Sequence, residues 1–515
     1  MPIVQGSRNR TGDRRPVMRA IAPPVGPRAQ ELKLPVNFPA VIAASFPQKR
    51  FDIRAHGAVA DDRTDCTTAF AAAIDACHQS GGGRVVVPAG KWFTGPIRLL
   101  SNAQLHLSEG ASVRFSSDPE RYLPPVFARW NGMECANFSP LIHAIDCRNV
   151  AITGPGELRG QGTAWWPWSK HESRGGQALY KMVLDDVPPE QRDVANSPHR
   201  LRPPFIAFVR CVNVLLDEFT IAEAGPQWNI QAVYCQNVIA RRLKVSTPQG
   251  PNTNGIVIDS SRDVLIEDCE FATNDDCISL KSGMNEDGWR VDRPTENVLI
   301  RRIRATAGGG GVAIGSEMSG GVRNVFVHDC DFTGLSAGLR IKAARGRGGV
   351  VEAVLFENIR LGSIHGDAIQ MTTEYSSFVS PDGQPPTFRN ICVRNLVCEN
   401  AESAVRMIGL ADSQLTDVCL RNVTINSAEG MNCVAGNQIS LIDLRITPRH
   451  GPAISLKDSQ DVLIHGLHNH IPDGVFLDLK GRHTRNIRLR GEPEMHARPA
   501  VVLGVDVPRD SIVQE

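Results

Sequence analysis

A short pattern recurs along the chain, and it constrains the fold more than any other feature of the sequence. Each copy starts at a residue that we call the anchor, usually Asn or Asp, followed by Val or Ile, as in "NVIARRLKV" and "DVLIEDCEF". Positions +1 and +3 from the anchor are apolar in all twelve copies, and positions +6 and +8 in most of the middle copies. Two runs of period two joined by a one-residue phase slip predict two short strands that meet at a corner. The anchors are Asn149, Asn213, Asn237, Asp263, Asn297, Asn324, Ala353, Asn390, Asp417, Gln438, Asp461 and Asn486.

The spacing of the anchors indicates how these strands are arranged. Most anchors lie about 21 to 37 residues apart, which is the range of the coils of a solenoid. A helical period is nowhere sustained, and a β-sandwich would need hairpin turns such as Asn-Gly about every 8 to 12 residues. The sequence therefore predicts an all-β protein, a single right-handed parallel β-helix.

Charge and apolar runs limit the possible partners. The 515 residues carry a formal net charge of +1, whereas nucleic-acid binders usually show a strong basic excess. No apolar run of about 18 residues is present, so we expect no transmembrane helix and no membrane partner. The N-terminal residues lack the apolar core of a signal peptide, although a missing or misassigned start would look the same. The compartment stays open.

The cysteines fit the repeat rather than a disulfide framework. The chain has 13 of them, with no CxxC pair and no metal-like spacing. Cys147, Cys211 and Cys235 each sit two residues before an anchor, and Cys269 and Cys330 occupy the inward +6 position. Residues of equal phase stack along a solenoid, so we expect ladders of buried thiols, with disulfides the less favoured alternative.

A second strand in each coil places chemically useful residues on one outer face. Apolar pairs such as Ile278/Leu280 and Leu339/Ile341 alternate with residues that must face outward. The outward residues are Val257, Ser279, Ala313, Arg340 and Gln370. The next outward position of each strand, two residues later, holds Asp259, Lys281, Gly315, Lys342 and Thr372. Just ahead of these strands lie Asn254, Asp275, Asp276, Gly309 and Gly310. Coils stack about 4.8 Å apart, so both carboxylates share a face with Arg340 and Lys342 if a turn presents them together.

Paired carboxylates beside cations suit the cleavage of an acidic sugar. One carboxylic acid protonates the leaving oxygen while the other carboxylate activates water, and their proximity separates their pKa values. Arg340 and Lys342, with Arg345 and Arg347, can hold a uronate carboxylate. The alternatives are a solvated acidic turn and an exposed basic turn. A long polar insertion from Thr163 to about Leu201 interrupts the coil spacing and can close one end of a groove.

The chain resembles glycoside hydrolase family 28, the polygalacturonases, from about residue 51 to the last coils. The resemblance rests on "PNTNG" at 251, "NDDCISLKSG" at 274, "GGGGVAIGSEMSGGVRN" at 308 and "GLRIKAARGRGG" at 338, and "GSEMSGG" is similar to bacterial exo-acting members. The segment "FDIRAHGAVADDRTDCTTAFAAAIDAC" implies a short helix in an N-terminal cap. We therefore expect an arm, flexible and rich in Pro and Arg, over 1–48, the cap with the first coils over 49–115, and the catalytic β-helix over 116–515.

Carried over position by position, the resemblance implies roles for individual residues. Asp275 matches the general acid of the family and Asp276 a carboxylate that activates water, while Arg340 and Lys342 match its substrate-binding pair. Asn254 and Gly309 stand where the family has Asp and His. An amide can bind a water or a hydroxyl but cannot take up a proton. The further substrate-binding candidates are Asn254, Lys281 and Glu317.

The expected function is hydrolysis of α-linked galacturonic-acid-type bonds in a pectic polysaccharide or oligosaccharide, exo-acting and with inversion. Such hydrolysis needs neither a metal nor an organic cofactor. The alternatives are a polysaccharide lyase on the same fold, which would use Ca²⁺ and an Arg or Lys base, and a β-helix that binds pectic carbohydrate without cleaving it. The departures at Asn254 and Gly309 put plain polygalacturonase activity in question.

Overall fold

The computed structural model describes residues 3–5, 38, 40–375, 383–466, 474–490 and 500–514. Nearly all of its strands pair in parallel with the equivalent strand of the next coil, which forms a right-handed parallel β-helix and confirms the predicted fold. Each coil passes through three sheets, which we call the back, side and front sheets in chain order. In the described residues, no helix is long and apolar enough to span a membrane.

The back sheet carries the anchors and the side sheet follows each corner. Strands confined to the back sheet are Arg50–Asp52, Gly83–Val87, Ala103–Leu107, Arg148–Thr153, Val212–Asp217, Gln236–Arg241, Arg262–Glu267, Thr295–Arg301, Gln460–His465, Arg485–Arg490 and Ile512–Gln514. Strands confined to the side sheet are Asp61–Asp65, Gly90–Thr94, Ala111–Phe115, Glu157–Arg159, Thr220–Glu223, Lys244–Thr247 and Glu270–Thr273.

The front sheet completes each coil. Its separate strands are Ile97–Arg98, Ile142–Ile145, Ile206–Val209, Ile230–Val233, Ile256–Asp259, Ile278–Lys281, Leu335–Lys342, Val475–Lys480, Ala500–Leu503 and Ile3–Gln5. Longer strands continue around a corner from one sheet into the next, namely Arg304–Gly315, Val322–Phe332, Val350–Thr372, Thr387–Ile408, Leu415–Val434 and Gly436–Lys457. An antiparallel hairpin, Val126–Trp130 with Met133–Asn137, lies outside the coils.

The anchors explain why the repeat needs Asn or Asp. All twelve have φ between 52° and 61°, in the left-handed region that Asn and Asp adopt more readily than other non-glycine residues. The residue at +5 also has positive φ in every copy that the structure describes, and this second kink is the one-residue phase slip of the sequence. Stacked amides support the corner, since Asn213 Nδ2 donates to Asn149 Oδ1 at 2.8 Å and Asn237 Nδ2 to Asn213 Oδ1 at 2.7 Å.

The residues at +1 and +3 fill the core, as the period predicted. Val264, Ile266, Val298 and Ile300, for example, have no exposed surface. Cys147, Cys211 and Cys235 stack in one buried column, and all 13 cysteines are free thiols. The expected ladder of buried thiols is therefore confirmed for these three residues, whereas Cys269 and Cys330 are buried but separated by Ile303 of the coil between them.

Three α-helices decorate the coils in the described residues. α1 (Thr67–Gln79) covers the first coil with the buried side chains Phe70 and Ile74, in the cap that the sequence predicted. α2 (Glu172–Leu184) lies in the polar insertion, and α3 (Asn285–Val291) follows the front strand Ile278–Lys281. Short 3₁₀ turns are formed by Ile53–His56, Pro119–Tyr122, Gly162–Ala164, Trp166–Lys170 and Pro189–Gln191.

Part of the predicted arm is described. Val41, Ala44 and Phe46 pack on outward apolar residues of the back sheet. The Ile42 amide donates to Asn237 Oδ1 at 3.0 Å, and Asn237 Nδ2 donates to the Ile42 carbonyl at 2.7 Å. This part of the segment therefore contacts the β-helix, while the boundary at residue 48 stays a prediction.

Candidate active site

A turn between a side strand and a front strand carries the two adjacent carboxylates. Asp275 Oδ1 accepts a hydrogen bond from the Asp276 amide at 2.8 Å, and Thr273 Oγ1 donates to the Asp275 carbonyl at 2.6 Å. These bonds hold the backbone out of the regular strand conformation, in which neighbouring side chains point to opposite faces. The turn therefore presents both carboxylates together, which is the condition that the sequence analysis set for a site on this face.

The two carboxylates have different surroundings. Asp276 is 1% exposed and accepts hydrogen bonds from Lys342 Nζ at 2.8 Å and Arg340 NH1 at 3.4 Å. Burial by itself would raise the pKa of Asp276, but these two cations outweigh it and hold the pKa below its usual range. Asp275 is half-buried and receives a weaker bond from Asn252 Nδ2 at 3.3 Å. Asp276 is thus held as an anion by cations, and Asp275 faces the groove without a cation bound to it in the described structure.

The cations come from the front strand two coils away, as the register predicted. Ser279 pairs with Ala313, and Ala313 pairs with Arg340. Arg340 Nε donates to Gln370 Oε1 at 2.8 Å, which fixes the guanidinium over the sheet. The Tyr375 ring lies 5.7 Å from Arg340 Cζ and 5.1 Å from Lys342 Nζ. Sequence reasoning missed Tyr375, whose only signal is its position just after the front part of strand Val350–Thr372.

Asn254 lies next to Asp276 in the neighbouring coil. The amide that follows it, from Gly255, donates to the Asp276 carbonyl at 3.1 Å. Asn254 Nδ2 donates to Ser279 Oγ at 3.1 Å, which fixes the orientation of the side-chain amide. Its Oδ1 atom is buried and has no hydrogen-bond partner within the described part of the chain. An unpaired buried acceptor costs free energy, so this oxygen is suited to bind a water or a hydroxyl.

Gly309 packs directly against both carboxylates. A Cβ atom at this position would lie 3.1 Å from Asp275 Oδ1 and 3.1 Å from Asp276 Oδ1. At Gly310 it would lie 3.0 Å from Asp276 Oδ1. The carboxylate oxygens therefore occupy the space into which a side chain at 309 would start, and any larger residue there must displace them.

Lys281 and Glu317 form a buried ion pair beside the carboxylates. The Lys281 ammonium binds Glu317 Oε2 and lies 5.3 Å from the centre of the Trp228 ring. Burial opposes ionisation of both groups, yet their attraction raises the pKa of Lys281 and, with Arg347, lowers that of Glu317 to about 2. The sequence predicted Lys281 and Glu317 as candidates but gave no indication of Trp228. The structure brings all three together.

Arg347 does not join Arg340 and Lys342 on the groove. Arg347 is fully buried, and it donates to the Ser316 carbonyl at 3.1 Å and to Asn285 Oδ1 at 2.6 Å. Arg345 binds Asp412 at 2.5 Å. The prediction that Arg347 holds a uronate is therefore wrong, because its side chain lies in the interior, whereas the role of Arg345, whose side chain is 27% exposed, stays a prediction.

Helix α2 is tied by side-chain contacts to segments that flank two front strands, that of the coil before the carboxylates and that of the carboxylate coil itself. Near its start, Glu172 binds Arg202 at 2.6 Å, and Arg202 NH1 donates to the Pro251 carbonyl at 2.8 Å, just before a front strand. Farther along, the Tyr180 hydroxyl lies 3.0 Å from Asn285 Nδ2, just after a front strand. Glu172 and Tyr180 are eight positions apart, which corresponds to about 12 Å along the helix and is close to the length of a four-residue strand. These contacts therefore fix the helix near both ends of the two front strands.

The hairpin covers the same coils. Phe127 packs on the outward residues Val209 and Val233, and Gln231 Nε2 donates to the Arg129 carbonyl at 3.0 Å. Buried ion pairs fix this cover, with Arg129 on Asp259 at 2.8 Å and Arg192 on Asp287 at 2.8 Å. The outward residues Ala207, Gln231 and Val257 are accordingly buried, whereas Arg406 and Asn432 on later coils are exposed. The groove is closed on one side of the carboxylates and open on the other.

Among the residues with described positions, no three His, Cys, Asp or Glu side chains are grouped as a metal site requires. What the site contains is two inequivalent carboxylates, two cations, an unpaired amide oxygen and aromatic rings. This set matches an acid–base pair with binding groups for an anionic sugar.

Comparison with known proteins decides the family. The model of glycosyl hydrolases family 28 matches residues 77–440. The chain belongs to this family. It is 31% identical over 385 residues to a probable polygalacturonase of Vitis vinifera, covering 72% of this chain and 73% of that protein.

Solved structures of family 28 superpose on the same region. An exopolygalacturonase from Thermotoga maritima aligns with a TM-score of 0.72 at 35% identity, covering 76% of this chain and 92% of that one. A family 28 exopolygalacturonase from Yersinia enterocolitica aligns with a TM-score of 0.68 at 23% identity, covering 87% and 79%. The first supports the family and the fold, and the second supports the fold alone. The resemblance stated from the motifs is confirmed.

Proposed function

We propose that this family 28 protein is an exo-acting, inverting glycoside hydrolase that removes a terminal uronic-acid residue from a pectic polysaccharide or oligosaccharide. The observation that supports this most is the inequivalent carboxylate pair, with Asp276 held by Lys342 and Arg340 and Asp275 open to the groove. The relatives are described as polygalacturonases and exopolygalacturonases, which agrees with a uronate substrate.

In the proposed reaction Asp275 is the general acid and Asp276 the general base. Asp275 gives its proton to the glycosidic oxygen as the bond to the anomeric carbon breaks. Asp276 takes a proton from a water molecule, and the water oxygen bonds to the anomeric carbon from the opposite face. Asn254 Oδ1 accepts the other hydrogen of this water and so orients it. The lowered pKa of Asp276 keeps the base ionised at the pH at which Asp275 must be protonated.

The cations and one aromatic ring form the proposed sugar-binding surface. The side chain of Arg340 is 19% exposed beside Asp276 and can donate to a uronate carboxylate. The half-buried Tyr375 offers an apolar face against which a sugar ring packs. Lys281 and Glu317 lie at the ends of the front strands of the carboxylate coil and of the next coil, where they can contact the terminal sugar.

The exo mode follows from the cover over the front sheet. The hairpin buries the outward residues of the coils before the carboxylates, so a long chain cannot continue past the site in that direction. We therefore expect the last sugar of the chain to lie between this cover and Asp275. A lyase is disfavoured by the use of the cations, because Arg340 and Lys342 both donate hydrogen bonds to Asp276, whereas a lyase base must accept a proton.

The test is a panel of pectic oligosaccharides incubated with the protein and followed by mass spectrometry. We expect monouronate and the chain shortened by one unit from the earliest times, with one water added per cleavage. The Asp275→Asn variant should be inactive, and Asn274→Ala, a change at the exposed neighbour, should be fully active. Products that absorb in the ultraviolet would indicate a lyase, and binding without cleavage would indicate a carbohydrate-binding protein.

A further inference from the structure

Two cysteines lie side by side on the outer surface of the back sheet, away from the groove. Cys392 and Cys419 are in register on the strands Thr387–Ile408 and Leu415–Val434 of successive coils. Each follows its anchor by two positions, and the apolar residues at +1 and +3 face the interior, so the residue at +2 points outward. Neither cysteine belongs to the interior cluster of the described apolar side chains. The two thiols therefore stand next to each other outside the core.

The surroundings of this pair differ from those of the buried thiol ladder. Cys211 and Cys235 have no exposed surface, and their thiols donate to backbone carbonyls at 3.4 Å. Cys392 is 7% exposed, whereas Cys419 is half-buried. A reagent in solution therefore meets Cys419 first, and the thiol next to Cys419 is that of Cys392.

Hydrogen bonding and charge favour the thiolate of Cys419. The Cys392 thiol donates a hydrogen bond to Cys419, which lowers the pKa of Cys419 and raises that of Cys392. Arg421 and Arg394, in register two positions farther along the strands, also lower the pKa of Cys419. Burial and the Asp417 carboxylate oppose this shift but do not cancel it. Because the thiolate is the nucleophilic form of cysteine, Cys419 is the more reactive of the two.

The spacing of the coils sets the geometry of a bond between the two sulfurs. In-register Cα atoms of neighbouring coils lie about 4.8 Å apart, within the range of about 4.4 to 6.8 Å that disulfides span. The two Cβ atoms leave the sheet in the same direction, so they are also about 4.8 Å apart, slightly more than the usual distance of about 3.5 to 4.5 Å. A disulfide here needs only a small local movement, and it should be reduced more easily than an unstrained one.

We propose that Cys392 and Cys419 form a reversible disulfide when the protein meets a low-molecular-weight disulfide such as oxidised glutathione. The Cys419 thiolate attacks one sulfur of the reagent, which gives a mixed disulfide and releases one glutathione thiolate. The Cys392 thiolate then attacks the Cys419 sulfur and releases the second. The released thiolates take up the two protons that the protein thiols lose, so two protein thiols are oxidised and one reagent disulfide is reduced to two thiols.

The experiment incubates the reduced full-length protein with oxidised glutathione. Acid quenching stops thiol exchange by removing the thiolate, and the free thiols are then counted in the unfolded chain. Their number should fall by two from the 13 of the reduced protein. Peptide mapping by mass spectrometry should find Cys392 joined to Cys419, and an excess of reduced glutathione should reopen the bond.

Three variants separate this reaction from oxidation of any accessible thiol. Cys392→Ser should stop at the mixed disulfide, with one glutathione on Cys419. Cys419→Ser should leave Cys392 unreacted, since the remaining thiol is nearly buried. Cys211→Ala, a change in the buried ladder, is the matched control and should form the same disulfide as the parent protein.

Several results would overturn the proposal. It is wrong if all 13 thiols of the parent protein stay free, if Cys419 of the parent keeps a glutathione, or if the disulfide joins other cysteines. It is also wrong if Cys392 reacts equally well in the Cys419→Ser protein. None of these measurements involves cleavage of a carbohydrate, so they test this site independently of the proposed function.

Discussion

Replacing Lys342 by Met should move the acid limb of the pH–rate profile. Lys342 Nζ donates to Asp276 at 2.8 Å, and Met keeps the length of the side chain while removing its charge. A cation this close lowers the pKa of a carboxyl by about 1 to 3 units, and the burial of Asp276 acts in the opposite direction. The pKa of Asp276 should therefore rise, while Arg340, which remains at 3.4 Å, still holds it down in part. The ionised base is then lost at a higher pH.

The same change should reduce stability with a defined pH dependence. Breaking a buried ion pair costs about 3 to 5 kcal/mol of the free energy of unfolding. Because the folded pKa of Asp276 is lowered, the pair stabilises the protein fully above the unfolded pKa of about 3.9, and this contribution is lost as the pH falls through the lowered value. The difference in stability between the parent and the variant should therefore shrink in acid.

The assay is kcat/KM as a function of pH, with urea unfolding at several pH values. Arg129→Met is the matched control, because it breaks the buried pair with Asp259 beneath the cover and leaves Lys342 in place. It should lower stability without moving the acid limb. If the Lys342→Met profile superimposes on that of the parent, Asp276 is not the base and the assignment of the two carboxylates is refuted.

Three further substitutions test the remaining parts of the site. Asp275→Asn should lower kcat by a factor of about 10² to 10⁴ with little change in KM. If the variant kept near-full activity, Asp275 would not be the general acid. Arg340→Ala should mainly raise KM, more at low salt, because a charged contact to a carboxylate is worth about 1.5 to 3 kcal/mol; an unchanged KM would argue against uronate recognition. Asn254→Asp should shift the pH–rate profile upward by adding a like charge beside Asp276, and combining it with Gly309→His should favour plain polygalacturonate only if Asp275 and Asp276 tolerate the displacement; loss of all activity would show a differently shaped site.

The fold could be predicted because its rules are local. A left-handed corner favours Asn or Asp, and the residues at +1 and +3 must be apolar to fill the core, so the repeat is visible in one sequence. The register between coils then placed Arg340 and Lys342 on the same face as Asp275 and Asp276, because residues at equivalent positions of successive coils stack in a solenoid. These inferences needed only the period of a strand and the spacing between coils.

The missed features depend on contacts between distant segments. Tyr375 reaches the cations only because the chain turns back after its strand, and Trp228 meets Lys281 from two coils away. The interior position of Arg347 depends on Asn285 and Ser316, which no local pattern indicates. The position of α2 is set by Arg202 and Tyr180, so the insertion was recognisable in the sequence but its direction was not.

The stereochemistry of the first product tests the central claim most directly. Proton NMR during cleavage of an α-linked oligogalacturonate identifies the anomer released before mutarotation, and Asp275→Asn serves as the inactive control. Water activated by Asp276 and a proton from Asp275 predict that the β-anomer of the released sugar appears first. Initial release of the α-anomer, signals of an unsaturated sugar, or equal cleavage by the Asp275→Asn variant would contradict the account.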